Sequence, residues 1–170
     1  MAVEFIKNLE KAMENLHKRG AFLTTKNGDK ENTMTISWGS VGYQWGKPIF
    51  TVMVRQSRYT HELIENGGEF TVSIPVGDKM KKALAICGSK TGRDVNKFDA
   101  AEITSIAGKV VSTPVIAGCE YIYECKIVYK QDMNPSLISK DILNTSYADD
   151  DFHTFYFGEI VACYTEEGND

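Results

Sequence analysis

The densest chemistry in the chain lies at residues 55–60, Arg-Gln-Ser-Arg-Tyr-Thr. Ahead of it, Ile49–Val54 is an apolar, β-branched run that reads as a buried strand. Behind it, Tyr59-Thr60-His61-Glu62-Leu63-Ile64 reads as the opening of a helix, with Ser57 or Arg58 near the N-cap. Arg55, Ser57, Arg58 and Thr60 thus bring two guanidinium groups and two hydroxyls to the point where a strand runs into a helix. Free backbone N–H groups and the positive end of the helix dipole are also found there. That is the chemistry of a phosphate or carboxylate cradle. A capped helix with solvated arginines has the same pattern.

Two other polar segments change the weighing. Asn32–Trp38 (Asn32, Thr33, Met34, Thr35, Ile36, Ser37, Trp38) reads as a strand, yet it carries four polar residues, one Trp and only two aliphatic side chains. It offers main-chain groups, an amide, hydroxyls and an aromatic face, the parts needed to hold a flat, hydrogen-bonding heterocycle. Ser89–Phe98 places Lys90, Arg93 and Lys97 around a Thr91-Gly92 turn that could close over a phosphate or cover a ring edge. A planar ring joined to a phosphate would use all three segments.

The elements that must position them are short. Val3–Arg19 reads as an amphipathic helix with Val3, Ile6, Leu9, Met13 and Leu16 on one face and Gly20 as its stop. Ala21–Thr25 and Asn32–Trp38 read as strands joined by an Asn27-Gly28-Asp29 turn. Gly39–Pro48 reads as a glycine-rich loop with two aromatics, Tyr43 and Trp45. Arg58–Asn66 is expected to be a helix, Glu69–Pro75 a strand with Phe70, Val72 and Ile74 inward, and Asp78–Ile86 a short helix closed by Cys87-Gly88. Ile103–Val111 is weakly patterned. Tyr121–Tyr129 alternates Tyr121, Tyr123, Cys125, Ile127 and Tyr129 on one face, and Pro135–Ala148 reads as a polar loop. Phe152–Tyr164 is a long final strand with a bulge or close approach at Gly158. Six or seven short strands joined mostly by turns favour a mainly β, closed or nearly closed antiparallel barrel over a doubly wound sheet. Neither a dinucleotide fingerprint nor a P-loop is present.

With 170 residues, a net charge of −4 and 42% hydrophobic residues, the chain suits one globular domain. The acidic balance (pI near 5.4) and the absence of a basic run argue against nucleic acid. No apolar run reaches membrane-spanning length, and Glu4 and Lys7 interrupt any signal-peptide core, so the expectation is a cytoplasmic protein. Cys87, Cys119, Cys125 and Cys163 have neither metal-ligand nor CxxC spacing. Cys125 and Cys163 read as buried structural thiols. Cys87 lies at an element boundary, where a reactive thiol is the minor reading. His17 and His61 read as helix-surface residues.

Five pieces in order resemble one known family: Asn32–Trp38; the Pro48–Val54 strand; Arg55-Gln56-Ser57-Arg58-Tyr59-Thr60; Cys87-Gly88-Ser89 through Thr91-Gly92-Arg93-Asp94 to Lys97-Phe98; and His153 through Gly158-Glu159-Ile160-Val161. Together, over about residues 20 to 163, they resemble the flavin reductase-like, FMN-binding split-barrel family and most closely its flavoredoxin branch. The resemblance implies a split β-barrel of Greek-key antiparallel strands and a homodimer that binds FMN non-covalently near the subunit interface. It places Asn32–Trp38 along the isoalloxazine edge. Arg55, Ser57, Arg58 and Thr60 fall on the ribityl chain and phosphate, Val54 is a further cofactor-binding position, and Ser89, Lys90, Thr91 and Gly92 close the site. His153 falls where the family often has a histidine, which makes it the candidate catalytic side chain; a satisfied, partly buried histidine is the plainer reading. Lys97-Phe98 reads as a structural anchor. Asn96 stands where many relatives carry an acid.

The expected activity is FMN-dependent electron transfer from NADH, NADPH or a redox protein to an acceptor, with the cofactor carrying the chemistry and the protein the orientation. A non-catalytic flavin-binding or flavin-sensing module is the alternative, and a related barrel using another cofactor is a third. No metal site is expected.

Overall fold

The computed structural model describes residues 2–166. Helix α1 is Leu9–Arg19, shorter than the expected Val3–Arg19. Asn8 adopts the left-handed conformation (φ 65°), which a helix interior cannot contain, and this cuts the periodic stretch in two. Ile6, expected on the buried face, is therefore 68% exposed. At its other end α1 stops at Gly20 (φ 102°), whose N–H donates to the Asn15 and Leu16 carbonyls.

Strands β1 (Ala21–Asn27) and β2 (Lys30–Ile36) form the expected hairpin around Gly28-Asp29. The segment expected as a glycine-rich loop is instead strand β3 (Gly39–Gln44), paired with β4 (Lys47–Arg55) across a Trp45-Gly46 turn. Both turn residues have positive φ (56° and 69°), the geometry that suits the twist of a two-residue hairpin, although Trp is an unusual residue to adopt it. Helix α2 (Tyr59–Gly67) follows with Arg58 at its N-cap, then β5 (Glu69–Ile74), α3 (Lys81–Ser89) and α4 (Lys97–Ala100). A small β6–β7 hairpin (Ser105–Ile106, Val115–Ile116) leads to β8 (Tyr121–Asp132). The expected polar loop contains a 3-10 turn, Pro135–Leu137, and helix α5 (Lys140–Ser146), before β9 (His153–Thr165).

The main sheet has the order β2-β1-β5-β8-β9-β4-β3, antiparallel throughout. Its two edge strands, β2 and β3, are joined by Ser37 and Trp38 alone. Two residues span at most about 10 Å between Ile36 and Gly39, so the sheet curls until its edges nearly meet. The result is a barrel open along one seam, a split β-barrel.

Consecutive residues of each strand face opposite ways, and the two faces build two cores. Leu23, Phe50, Val52, Val54, Phe70, Val72, Tyr123, Cys125, Tyr156 and Ile160 fill the barrel, with Ala12 and Leu16 of α1 against them. Phe22, Leu84, Cys87, Ile103, Val115, Ile116 and Ile122 form the second core outside it. Gly158 is a close approach, as expected: a Cβ there would lie 2.5 Å from the Phe70 ring. The even alternation expected of Tyr121–Tyr129 fails at register shifts after Glu124 and Ile127, and Tyr129 is left 44% exposed. All four cysteines are free thiols; Cys163 is only partly buried.

Candidate functional site

The strand-to-helix passage β4–α2, the polar strand β2 and the loop after α3 meet around one groove of about 320 Å³. Its walls include Asn32, Met34 and Thr35 from β2, Ser57–Thr60 from the α2 entrance, and Cys87–Asp94 with Lys97 from α3 and its following loop. A smaller chamber of about 160 Å³ adjoins it through Met34, Thr35 and Arg58. Ile36, Ser37, Trp38, Met53, Arg55 and His153 complete that chamber. The three segments singled out in the sequence are therefore neighbours in space.

Each side chain has a definable position. Asn32 is buried and its amide donates to Thr60 Oγ1 at 2.9 Å, tying β2 to the first turn of α2. Thr35 Oγ1 donates to the Leu84 carbonyl at 2.6 Å, tying β2 to α3. Arg58 is exposed and its side chain makes no hydrogen bond or ion pair among the described residues, so its guanidinium is available at the junction of the two chambers. The N-terminus of α2, the positive end of its dipole, lies at the same end. Trp38 is 49% exposed on the rim.

Thr33 points the other way: it is fully buried and shares a hydrogen bond with Thr24. Val54 belongs to the barrel core. Neither side chain reaches the groove. Ser57 lines the groove and Arg55 the smaller chamber, but both are engaged elsewhere. Arg55 donates to the Asp151 carbonyl at 2.6 Å and the Ser146 carbonyl at 3.0 Å, and Ser57 gives its hydroxyl and N–H to the Asp151 carboxylate.

Ser89, Lys90, Thr91 and Gly92 form the lid of the groove. Arg93 fastens it, donating to the Ser57 carbonyl at 3.1 Å, pairing with Glu62 of α2, and lying 5.5 Å over the Tyr59 ring. The lid sits so close that a Cβ at Gly92 would meet the Tyr59 ring at 2.7 Å and the Asn32 amide closer still. Asn96 makes no ion pair; its Oδ1 caps α4 by accepting from Phe98 N–H and Asp99 N–H.

That cap seats Lys97, which is buried, lines the groove and donates to the Cys87 carbonyl at 2.9 Å. Burial lowers its pKa, against a smaller opposing influence from Cys87. Cys87 is itself buried, and burial pushes its thiol up, so it is not a thiolate nucleophile. Tyr59 and Met53 were missed as site residues. Lys97 had a signal, being the third cation of its segment. Met53 and Tyr59 had none beyond their neighbours.

His153 is buried, its Nδ1 2.6 Å from the Tyr147 hydroxyl and its ring 5.7 Å from that of Trp38. Burial, followed by Arg55, lowers its pKa to about 4. His61 is not a free surface residue: Nε2 lies 2.9 Å from Thr154 Oγ1. Among the described residues no cluster of His, Cys, Asp and Glu could hold a metal, and no helix is long and apolar enough to cross a membrane.

The family model described as flavin reductase like domain matches residues 13–170. An uncharacterized protein of Archaeoglobus fulgidus is 29% identical over 138 residues, covering 81% of this chain and 77% of that protein. Among solved structures, flavoredoxin from Methanosarcina acetivorans matches with a TM-score of 0.69 at 28% identity, covering 88% of this chain and 69% of that one. Flavoredoxin of Desulfovibrio vulgaris (Miyazaki F) matches with a TM-score of 0.68 at 22% identity, over 87% and 69% of the two chains.

Proposed function

Because the chain belongs to the flavin reductase-like family, and so to flavin-linked redox proteins, we propose that it binds FMN in the paired chambers and passes electrons from NADH, NADPH or a redox protein to an acceptor. The observation that carries this reading is the composition of the groove. One end holds Arg58, Lys90, the first turn of α2 and a buried ammonium, Lys97, whose partner among the described residues is a neutral carbonyl. The other end is walled by Trp38, Met34, Met53 and Ile36. A dianionic group fits the first and a planar ring the second.

In this reading Arg58, Lys90 and Lys97 hold the phosphate, Thr60 and Asn32 fix the α2 turn beneath it, and the 89–92 lid excludes water. Thr35, Ser37 and the β2 main chain face the ring edge. Bound FMN would supply the hydride-accepting chemistry, and the protein its orientation and electrostatic surroundings. Arg55 and Ser57 act indirectly, holding the 146–151 segment against the α2 entrance.

The aromatic rings of Trp45, Tyr129, Phe155 and Phe157 form one surface cluster, with Trp45 in edge contact with Tyr129 and Phe157, both at 6.0 Å. Trp45 is 60% exposed. Together with the family's habit, this patch supports a homodimer. Sedimentation should give twice the 19.0 kDa chain mass.

The deciding experiment is an absorbance spectrum of the purified protein before and after FMN, then under anaerobic NADH and NADPH. Flavin bands that bleach with a nicotinamide establish a reductase. Bands that persist with both yet bleach with dithionite point to a redox-protein donor or to a non-catalytic flavin-binding module. Failure to bind FMN overturns the reading.

A further inference from the structure

The orientation and electrostatics described above give His153 no task, yet the fold holds it tightly. It opens β9 opposite Arg55 on β4 and lines the smaller chamber beside Trp38. From the other side the segment after α5 brings Tyr147, whose hydroxyl lies 2.6 Å from Nδ1. Tyr147 is itself fixed: it is buried, stacked on Phe152 at 5.2 Å, and lies under the Arg55 guanidinium at 5.2 Å.

The Tyr147 hydroxyl has no second protein partner among the described residues. It must therefore donate to Nδ1, because the reverse bond would leave a buried phenolic hydrogen without an acceptor. The imidazole proton is then on Nε2. That atom has no protein partner and is not among the sealed, unpaired atoms of the described core, so it opens onto the chamber that His153 lines. Burial, which lowers both the charge and the basicity of this ring, keeps the neutral form at physiological pH.

We infer that Tyr147 is a positioning residue that locks His153 as a neutral Nε2–H donor toward a carbonyl-type oxygen of a planar ligand seated against Trp38. The surroundings select that chemistry. Met34, Ile36, Met53 and Trp38 supply flat, soft walls, and the Arg55 guanidinium is already used by two carbonyls. What remains toward the ligand is an uncharged N–H. The oxygen has two sources, a carbonyl of the flavin ring or the carbonyl of an electron-accepting substrate laid against it. This identification rests on the flavin reading; the tautomer lock does not.

The test is two-bond nitrogen–proton correlation spectroscopy on protein carrying ¹⁵N-labelled histidine. Cofactor-free wild type should show His153 protonated at Nε2 alone near neutral pH. Tyr147→Phe keeps the ring packing and removes the hydroxyl, and should give a mixture of tautomers. Wild type protonated at Nδ1, or a variant spectrum identical to wild type, overturns the lock. FMN and then acetophenone are added next. A shift of Nε2–H with FMN assigns the oxygen to the flavin ring, and a shift only with acetophenone assigns it to the substrate. In the latter case Tyr147→Phe should weaken acetophenone binding about fivefold, the loss of one hydrogen bond's worth of ordering. No shift with either, in protein whose absorbance shows bound FMN, overturns the donor role. If FMN does not bind at all, the flavin reading fails while the cofactor-free spectra still decide the lock.

Discussion

Lys97 Nζ donates to the main-chain carbonyl of Cys87 at 2.9 Å, and that neutral oxygen is the only protein partner of a buried ammonium among the described residues. A buried charge is ordinarily paired, because burial without a counter-ion is expensive. Here the missing counter-charge lies on the groove side. Lys97→Met should therefore weaken FMN binding about tenfold or more while leaving riboflavin, which lacks the phosphate, nearly unchanged. Stability should hold or rise, since a desolvated charge is removed. Fluorescence titration with the two flavins checks this; an equal loss for both would show that Lys97 only anchors the loop.

Arg58 is the exposed counterpart. Its side chain having no protein partner among the described residues, it contributes little to folding, and Arg58→Ala should leave the unfolding free energy within about 0.5 kcal/mol. FMN affinity should fall by about 1–3 kcal/mol if the guanidinium makes a charge-assisted phosphate contact. Unchanged affinity would remove Arg58 from the phosphate site. The effect should shrink as salt rises, unlike that of buried Lys97.

The contrast between these two cations shows what the sequence could say. Arg58 was legible because a strand running into a helix with hydroxyls and arginines is a local pattern. The three groove segments were legible because each is polar where its element should be apolar. Asp151 was not: it takes the Ser57 hydroxyl and N–H from 94 positions away, and no local signal marks that pairing. The same holds for Arg55, turned from the expected phosphate toward the Ser146 and Asp151 carbonyls. Asn8 shows a local failure: apolar periodicity runs through it, but one left-handed residue breaks the helix that periodicity predicts. Trp45-Gly46 shows the converse, a hairpin hidden because its first turn residue is not one of those that usually adopt positive φ.

The lid depends on an absent side chain. Gly92→Ala would place a methyl against the Asn32 amide and 2.7 Å from the Tyr59 ring, so either the lid lifts or Asn32 leaves Thr60. FMN affinity should drop about tenfold, roughly the value of one lost hydrogen bond plus loosened packing. The lid is a surface loop, so the melting temperature should move little. A large loss of stability with unchanged FMN affinity would mean the loop serves the fold and not the site.

Glu124 is fully buried on β8 and accepts from the N–H groups of Lys109, Val110 and Val111 and from the Tyr164 hydroxyl. Burial alone would raise its pKa, but those four donors outweigh it and hold the carboxyl below its ordinary value. Glu124→Ala strands several buried donors and should cost about 2–4 kcal/mol. Since its folded pKa is depressed, its contribution is complete above the unfolded value and disappears as pH falls through the folded one. The stability gap between wild type and variant in urea unfolding should therefore narrow in acid, below the usual carboxylate range.

His153 acts in a higher window. Its folded pKa of about 4 lies below the ordinary 6.5, so the unfolded chain binds the proton more readily between those values. Stability from this group is complete above about pH 6.5, declines as pH falls toward 4, and changes no further below it. His153→Gln, which cannot take up the proton, should flatten the wild-type decline between pH 6.5 and 5.5, above the range in which the unfolded Glu124 carboxyl takes up its proton. The same depression predicts that the His153 ring shows no titration between about pH 5.5 and 8 by nuclear magnetic resonance. An inflection near 6.5 would place the ring in solvent and undo both its burial and its pairing with Tyr147.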